Sequence, residues 1–549
     1  MSLERAWRSI TRAWNRIPLA EPWRVLVPLL FLHWIALVVF TTKVHHNAWL
    51  FYQGGDQIWY WTTGWLVGQG SVSEPLVAHG WPLLLVPLTW IGGPGFLGAL
   101  PVAMLFQIVV LAPIALWCMY ELGSRIGGRV IGYLAAIVWT LGPYVAVPLF
   151  VQSYHDRYVD QFLPHVLGLT AMSDYVGTVF LLGAAVFSFR AVESRDPYTA
   201  AMAGLTFGFA LLIKPSSVLF LPAPLLLLVF ARRWRELGIA TAAFAPALLA
   251  LAIWKYRGYG YVPAFAAGET TSALGTDTMT DVYDKYVSLE WRNLWLNVDN
   301  LREFFWSVRV LQWLPFAGAV AVARRSLPHA LFLSAWFWSF LVVKGTSEQA
   351  TVESGSFLRL LLPAMPAYIL LATSLPLLFP KYGIELVRRT PAPPLACVGR
   401  RIVIGAAALL CAAPLVAAAA VSPTHGPAEV LQEDGILVPV DGGLDLTAKV
   451  AGRQVRLGWN GTSTLGVNVS YKVYRTPAAT DTLCTRHDPG ADVCVLQAPV
   501  LVEATPRTEA VDRPGPGTWT YRIGIRASWL NDGGGDVFLL TKPVTVTTR

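Results

Sequence analysis

Apolar runs of roughly 16 to 23 residues recur from Pro22 to Val421, and as helices they are long enough to cross about 30 Å of hydrocarbon. That recurrence leaves few folds open, because a chain inside a bilayer must satisfy its backbone polar groups internally. Composition agrees: 54% of the 549 residues are hydrophobic and 14% charged, where soluble chains average about a quarter charged. About eleven spans are expected, at 23–42, 96–120, 130–150, 175–190, 199–213, 216–231, 238–256, 308–323, 330–343, 358–379 and 402–421. The tract Trp81 to Gly92 is apolar but short and Pro-rich, and is expected to pack as a partly embedded hairpin.

The loops supply an orientation. Met1 to Glu21 carries Arg5, Arg8, Arg12 and Arg16 among Trp7, Ile10 and Trp14, the pattern of a basic interfacial helix on the cytoplasmic side. Alternate loops then hold Arg125 with Arg129, Arg190 with Arg195, Arg232 with Arg233 and Arg235, Arg324 with Arg325, and Arg388, Arg389, Arg400 and Arg401, as the positive-inside rule requires. The other loops hold Asp56 and Glu74, His155 to Asp160, Glu269 to Glu303, and Glu348 with Glu353. An odd number of spans exports the C-terminus. The net charge of +8 is spread over these loops rather than massed in one stripe, so no nucleic acid partner is expected. Usage rich in Ala, Gly, Pro and Arg with little Lys points to a GC-rich bacterium, and the chain to a multi-pass plasma membrane protein.

After Val421 the period changes. DLTAKV, QVRLGWN, VSYKVYR, TWTYRIGIRASWL and DVFLLTKPVTVT alternate apolar with polar residues between turn residues, the pattern of an antiparallel sandwich. The fold class is therefore a polytopic α-helical membrane domain, residues 1–421, followed by a small all-β sandwich, residues 422–549. Trp459 is expected in the sandwich core and Tyr521 at a tyrosine corner, and the set resembles a fibronectin type III domain. Cys484 and Cys494 lie close enough to close a loop by a disulfide in an oxidising compartment.

The stretch GGDQIWYWTTGWLVGQG, Gly54 to Gly70, places Asp56 just outside the first span. Ile58, Trp61 and Trp65 fall on one face of a helix, expected to lie among the headgroups and to hold Asp56 at the membrane surface. A carboxylate at that depth can take a proton from a water-soluble acceptor while a lipid-anchored reactant approaches from the bilayer. Asp174 opens the fourth span in MSDYVGTVFLL, where it serves equally as a helix cap. Lys214, in LLIKPSSVLFLP, and Arg359, in FLRLLLPAMPAYILLA, are cations on the outer side, where loop bias disfavours them; snorkelling and anion binding both account for them. His155, Asp156, Arg157, Asp160 and His165 crowd one outer loop that suits the wall of a polar pocket. The loop Arg257 to Ser307 is either a substrate-covering lid or a plain connection.

These segments resemble the GT-C superfamily of polyprenyl-phosphate-dependent glycosyltransferases, which includes protein O-mannosyltransferases and aminoarabinose and arabinofuranosyl transferases. The resemblance covers most of Trp23 to Pro380. It implies a polyprenyl-phosphate sugar donor, an extracytoplasmic glycan, lipid or protein acceptor, membrane lipids as surroundings, and no nucleotide cofactor. Asp56 takes the place of the catalytic acid of the first loop, Asp174 that of the second acidic position, and Lys214 and Arg359 those of basic groups around the lipid phosphate. Gln57 stands where several relatives carry a second acid, which leaves a divalent metal open. A transporter or flippase of lipid-linked sugar is the alternative; it would show pseudo-repeats with interrupted helices, and the sequence shows no repeat.

Overall fold

The computed structural model describes residues 21–43, 56–69, 77–149, 154–155, 158–259, 289–347, 350–351, 356–379, 405, 430–433, 436–441, 445–461, 469–480, 482–485, 493–496, 499–527 and 537–549. The helices run α1 Trp23–Lys43, α2 Asp56–Gly68, α3 Gly80–Gly92, α4 Phe96–Phe106, α5 Ala112–Gly127, α6 Arg129–Ala146, α7 Leu163–Val166 and α8 Ser173–Ser194. They continue as α9 Pro197–Ile213, α10 Pro222–Phe230, α11 Trp234–Tyr259, α12 Trp291–Glu303, α13 Leu314–Ala323, α14 Leu327–Gly345, α15 Ser356–Leu361 and α16 Met365–Thr373. A π turn, Gln107–Leu111, joins α4 to α5.

Among the described residues six helices are long and apolar enough to cross a membrane: Trp23–Lys43, Ala99–Gly127, Arg129–Ala146, Ser173–Ser194, Trp234–Lys255 and Leu327–Gly345. Helix α1 shows why. It buries Leu26, Leu29, His33 and Leu37 at helical spacing and turns Phe31, Ile35 and Val38 outward, an apolar outer surface suited to lipid. Four other expected spans coincide with shorter apolar helices, Pro197–Ile213, Pro215–Phe230, Arg309–Ala323 and Phe357–Thr373. Each contains or adjoins a 3-10 turn, at Pro215–Phe220, Arg309–Trp313 or Leu362–Ala364, where proline or tight winding interrupts the α-helical ladder. The expected span 402–421 and the basic N-terminal segment lie outside the described residues, save position 405.

Helix α8 is the axis of the bundle, with most of its length buried. It packs against α9, which packs in turn on α11 through Gly204 and Gly208. A methyl group at Gly204 would stand 2.0 Å from the Ala240 carbonyl oxygen, and one at Gly208 would stand 2.7 Å from the Ala247 methyl. Small residues four apart allow this close approach, the packing used where water supplies no hydrophobic drive.

One expectation about α2 is corrected. Ile58 and Trp61 are fully buried and Trp65 only partly exposed, so the aromatic face is packed inside the protein rather than laid among headgroups. The Trp61 indole N–H donates to the Gly93 carbonyl at 2.9 Å, and the tract expected as a hairpin is instead one continuous helix, α3, packed on α2 with its Pro82 and Leu85 against Gly64.

The C-terminal residues form antiparallel sheet with two parallel pairings. One sheet holds β3 Thr447–Ala451, β4 Gln454–Gly458 and β9 Glu509–Asp512, with β4 central. The other centres on β10 Gly517–Ala527, flanked on one side by β5 Val469–Pro477 and then β8 Val500–Thr505, and on the other by β11 Val537–Thr541 and β12 Val544–Thr548. Beyond β11 the sheet is extended by β2 Ile436–Asp441, β1 Val430–Glu433, β7 Val493–Leu496 and β6 Thr482–Thr485, with β2 parallel to β11 and β1 parallel to β7. Trp459 is buried, edge-on to Tyr471 at 5.4 Å. Tyr521 is buried too, but its hydroxyl donates to the Asp512 carboxylate at 2.8 Å, where a tyrosine corner would use a backbone group. Asp512 also accepts from Arg475 at 2.7 Å, so a side-chain network replaces the corner. Strand β2 packs against α2, and Leu539 of β11 faces Gly95 at the start of α4. The sheet therefore sits beside the helix that begins at Asp56.

Candidate functional site

Asp56 is the first residue of α2, where helix polarity favours a negative charge. Its side chain is 59% exposed, and its Oδ2 lies 3.9 Å from Nη1 of Arg359 on α15. Asp174, second residue of α8, is 2% exposed and forms an ion pair with Lys214. The sequence explains the placement of Lys214. A residue before proline avoids the helical region, so α9 stops at Ile213, Lys214 is extended (φ −146°, ψ 112°), and its ammonium reaches α8. At Gly177, one turn after Asp174, the space for a side chain is bounded by Ile213, Lys214 and Ser217, which brings the two helices together. Arg359 lies within electrostatic range of Asp174 and Lys214, and Asp56 within range of Lys214. The four charged residues thus form one cluster.

What holds the cluster is the short link Thr170 to Met172 together with Ser173, the first residue of α8. Gln57 accepts the Ala171 N–H at 2.7 Å, and the Trp81 indole donates to the Ala171 carbonyl at 2.8 Å. Gln107, from the π turn, donates to the Thr170 carbonyl at 2.5 Å, and the Tyr60 and Ser173 hydroxyls meet at 2.8 Å. Helix α2 is thereby clamped to the start of α8, which fixes Asp56 relative to Asp174. Gln57 is a positioning residue: it is fully buried and grips backbone. Burial holds the Tyr60 hydroxyl in its protonated form, raising its pKa, and Asp56 pushes the same way. His165, whose Nδ1 lies 3.3 Å from the Thr170 hydroxyl, is pushed down to about 3 by burial, with Asp174 opposing and Arg359 and Lys214 assisting. It is a neutral imidazole at pH 7.

The cluster also has a member that was not singled out from the sequence. Lys344, near the end of α14, is 6% exposed and within electrostatic range of Lys214 and Asp174. Its signature was the same as that of Lys214, a solitary cation at the end of an apolar run. Gln57 Nε2, Gln107 Oε1 and Arg359 Nε are buried polar atoms without a protein partner.

The other expected site residues belong to the segment ahead of α7. His155 is helical and follows Tyr154, which donates to Glu303 at 3.1 Å and packs edge-on against Phe304, at the end of α12. Asp156 and Arg157 lie outside the described residues, as does the side chain of Asp160. Part of the expected lid, residues 260–288, lies outside them too, whereas Trp291–Glu303 is a helix. Cys484 and Cys494 stand directly opposite each other on antiparallel β6 and β7, a register whose Cα separation suits a disulfide. Among the described residues no three His, Cys, Asp or Glu side chains converge as metal ligands.

Chemically, the cluster offers one exposed carboxylate, Asp56, beside a guanidinium, and a buried carboxylate tied to an ammonium. It can accept a proton and stabilise an anion at neighbouring points. No family model matches this chain, and no curated protein matches it.

Proposed function

We propose that the chain is an integral membrane glycosyltransferase of GT-C type, moving a sugar from a polyprenyl-phosphate donor to an extracytoplasmic glycan, lipid or protein with inversion. The observation that carries this reading is the cluster of Asp56, Arg359, Asp174 and Lys214 at one end of α8. At the other end of α8 lies a basic set: Arg190 bonds Glu121 at 2.8 Å, Arg125 pairs with Glu121 and Glu193, and Arg233 donates to the Val192 carbonyl at 2.7 Å. From position 174 to position 190 a helix rises about 24 Å, close to the thickness of the hydrocarbon layer. Two charged ends separated by an apolar length suit a spanning helix with its arginines inside and the acid–base cluster outside.

In this reading Asp56 removes the proton of the acceptor hydroxyl, the oxygen bonds to the anomeric carbon, and the bond from that carbon to the phosphate oxygen breaks. The diester's single charge grows toward about −1.5 to −2 as the lipid phosphate departs. Arg359 and Lys214 act on that growth, so they favour the transition state over the bound donor. Tyr60, held as a phenol, can donate a hydrogen bond but does not serve as a base. The shorter apolar helices and residues 402–421 complete about eleven spans, with the N-terminus in the cytoplasm and the sandwich outside, in the plasma membrane of a bacterium. The order β3-β4-β9 beside β12-β10-β5-β8 supports the fibronectin type III likeness.

Reconstituted full-length protein incubated with polyprenyl-phosphate sugars, mannose and arabinose first, is expected to release free polyprenyl phosphate as label enters a non-lipid product. Label that crosses the bilayer still attached to its lipid would replace this reading with the flippase alternative.

A further inference from the structure

Helix α12 carries its own message about surroundings. At 100° per residue, Trp291, Trp295 and Leu296 fall on the half turned away from the protein, and they are 59%, 62% and 54% exposed; Leu289, just ahead of the helix, is exposed as well. Arg292, Asp299 and Glu303 share that half. The opposite half is anchored: Leu301 is buried, and buried Asn297 donates through Nδ2 to the carbonyls of Gly345 at 2.9 Å and Ala350 at 2.8 Å. Leu294 lies directly over Gly345, where an added methyl would stand 2.5 Å from its Cδ1.

Two indoles and two leucines beside charged groups make a poor surface for water, and the mixture of aromatic and charged residues is too polar for the hydrocarbon core. It is the mixture found at the boundary between headgroups and acyl chains, where an indole body is apolar and its N–H is wet. Continuity along the chain says what covers it. After the buried turn of Phe304 and Trp306, the exposed side chains Val308, Val310, Trp313 and Phe316 carry the apolar surface straight into the helix of 309–323, one of the shorter apolar helices of the bundle. Exposed apolar side chains therefore recur from Leu289 to Phe316 on both sides of the buried turn at Phe304.

We propose that α12 is an in-plane helix docked in the phospholipid interface of the outer leaflet, and that Asn297 bolts it to the Gly345–Ala350 segment that follows Lys344. The occupant of the Trp291–Trp295 face is the bilayer's headgroup and glycerol layer. Gly345 follows Lys344 directly, so the bolt holds the helix beside that residue. The docking needs the chain to be in a membrane and does not depend on sugar transfer.

The test is site-directed spin labelling of the full chain in phospholipid nanodiscs, with the five native cysteines replaced by serine or alanine. Trp295→Cys is compared with Leu249→Cys, on the exposed face of a candidate span, and Val450→Cys, on the exposed surface of the sandwich. Collision rates are read against oxygen, which enriches in lipid, and a water-soluble nickel chelate. The label at 295 is expected to give an oxygen-to-nickel ratio several-fold above that at 450 and below that at 249. A ratio equal to that at 450 overturns the proposal by placing the face in water. Protection from both reagents overturns it as well, because another part of the chain or a second protein then covers α12. Transfer activity enters neither outcome, so the docking and the transferase reading can fail separately.

Discussion

Replacing Lys214 with methionine should leave Asp174 as a carboxylate that is 2% exposed and without its closest cation. Removing one partner of a buried ion pair typically costs about 3–5 kcal/mol, because the remaining charge stays desolvated. Arg359 lies within range of Asp174 and offsets part of this, so about 3 kcal/mol is the expected loss. Asp174→Asn strands the ammonium instead and should cost a similar amount. The double variant, Asp174→Asn with Lys214→Met, removes both charges and should recover to within about 1.5 kcal/mol of the parent, since apolar or neutral replacements of buried pairs are often nearly neutral. The assay is equilibrium unfolding of the four proteins in one detergent, read as a double-mutant cycle. A coupling energy of about 2 kcal/mol or more supports a direct pair. Additive losses would show that the two side chains do not face each other and would refute the geometry of the cluster. If Lys214 serves the proposed phosphate site, sugar transfer should stay low in the double variant although stability returns.

Three further outcomes follow from particular contacts. Asn297→Leu removes two hydrogen bonds to buried carbonyls and should destabilise the chain by about 1–3 kcal/mol in the same unfolding assay. For His165 burial lowers the folded-state pKa to about 3, so the neutral form stabilises the fold fully above the unfolded value near 6.5 and loses its contribution as pH falls through that value toward 3. Unfolding free energy should therefore drop between pH 7 and pH 5, and His165→Gln should flatten that part of the curve; an unchanged slope would place the imidazole in solvent. Under oxidising conditions Cys484 and Cys494, opposite each other on β6 and β7, should resist thiol alkylation until a reductant is added, whereas ready alkylation without reductant would show them unpaired.

Residues whose chemistry is local could be read from the chain alone. The pair Lys214-Pro215 states both that a helix stops and that a cation stands at its end, and α9 does stop at Ile213 with Lys214 extended. Asp174 at the start of an apolar run was visible for the same reason. The alternating strands from Thr447 to Thr548 were legible because period two has few other readings. The aromatic face of α2 was less tractable. Periodicity names a face but not what covers it, and Trp61 proved to have a carbonyl partner, Gly93, that is 32 positions away. Gln107 and Tyr60 carried no signal because their roles depend on the Thr170–Met172 link and on Ser173, which long-range folding brings to them. His155 was grouped with Asp174 by nearness in sequence, yet the neighbouring Tyr154 is held at Glu303.

The central claim is that Asp56 is the base of a sugar transfer carried out beside Arg359. Its most direct test is a single-turnover experiment with radiolabelled polyprenyl-phosphate sugar, comparing the parent with Asp56→Asn at matched amounts of folded, membrane-inserted protein. Loss of a positioned base is expected to slow transfer by about 100- to 10,000-fold while donor binding is retained. Transfer by Asp56→Asn at the parent's rate would contradict the account.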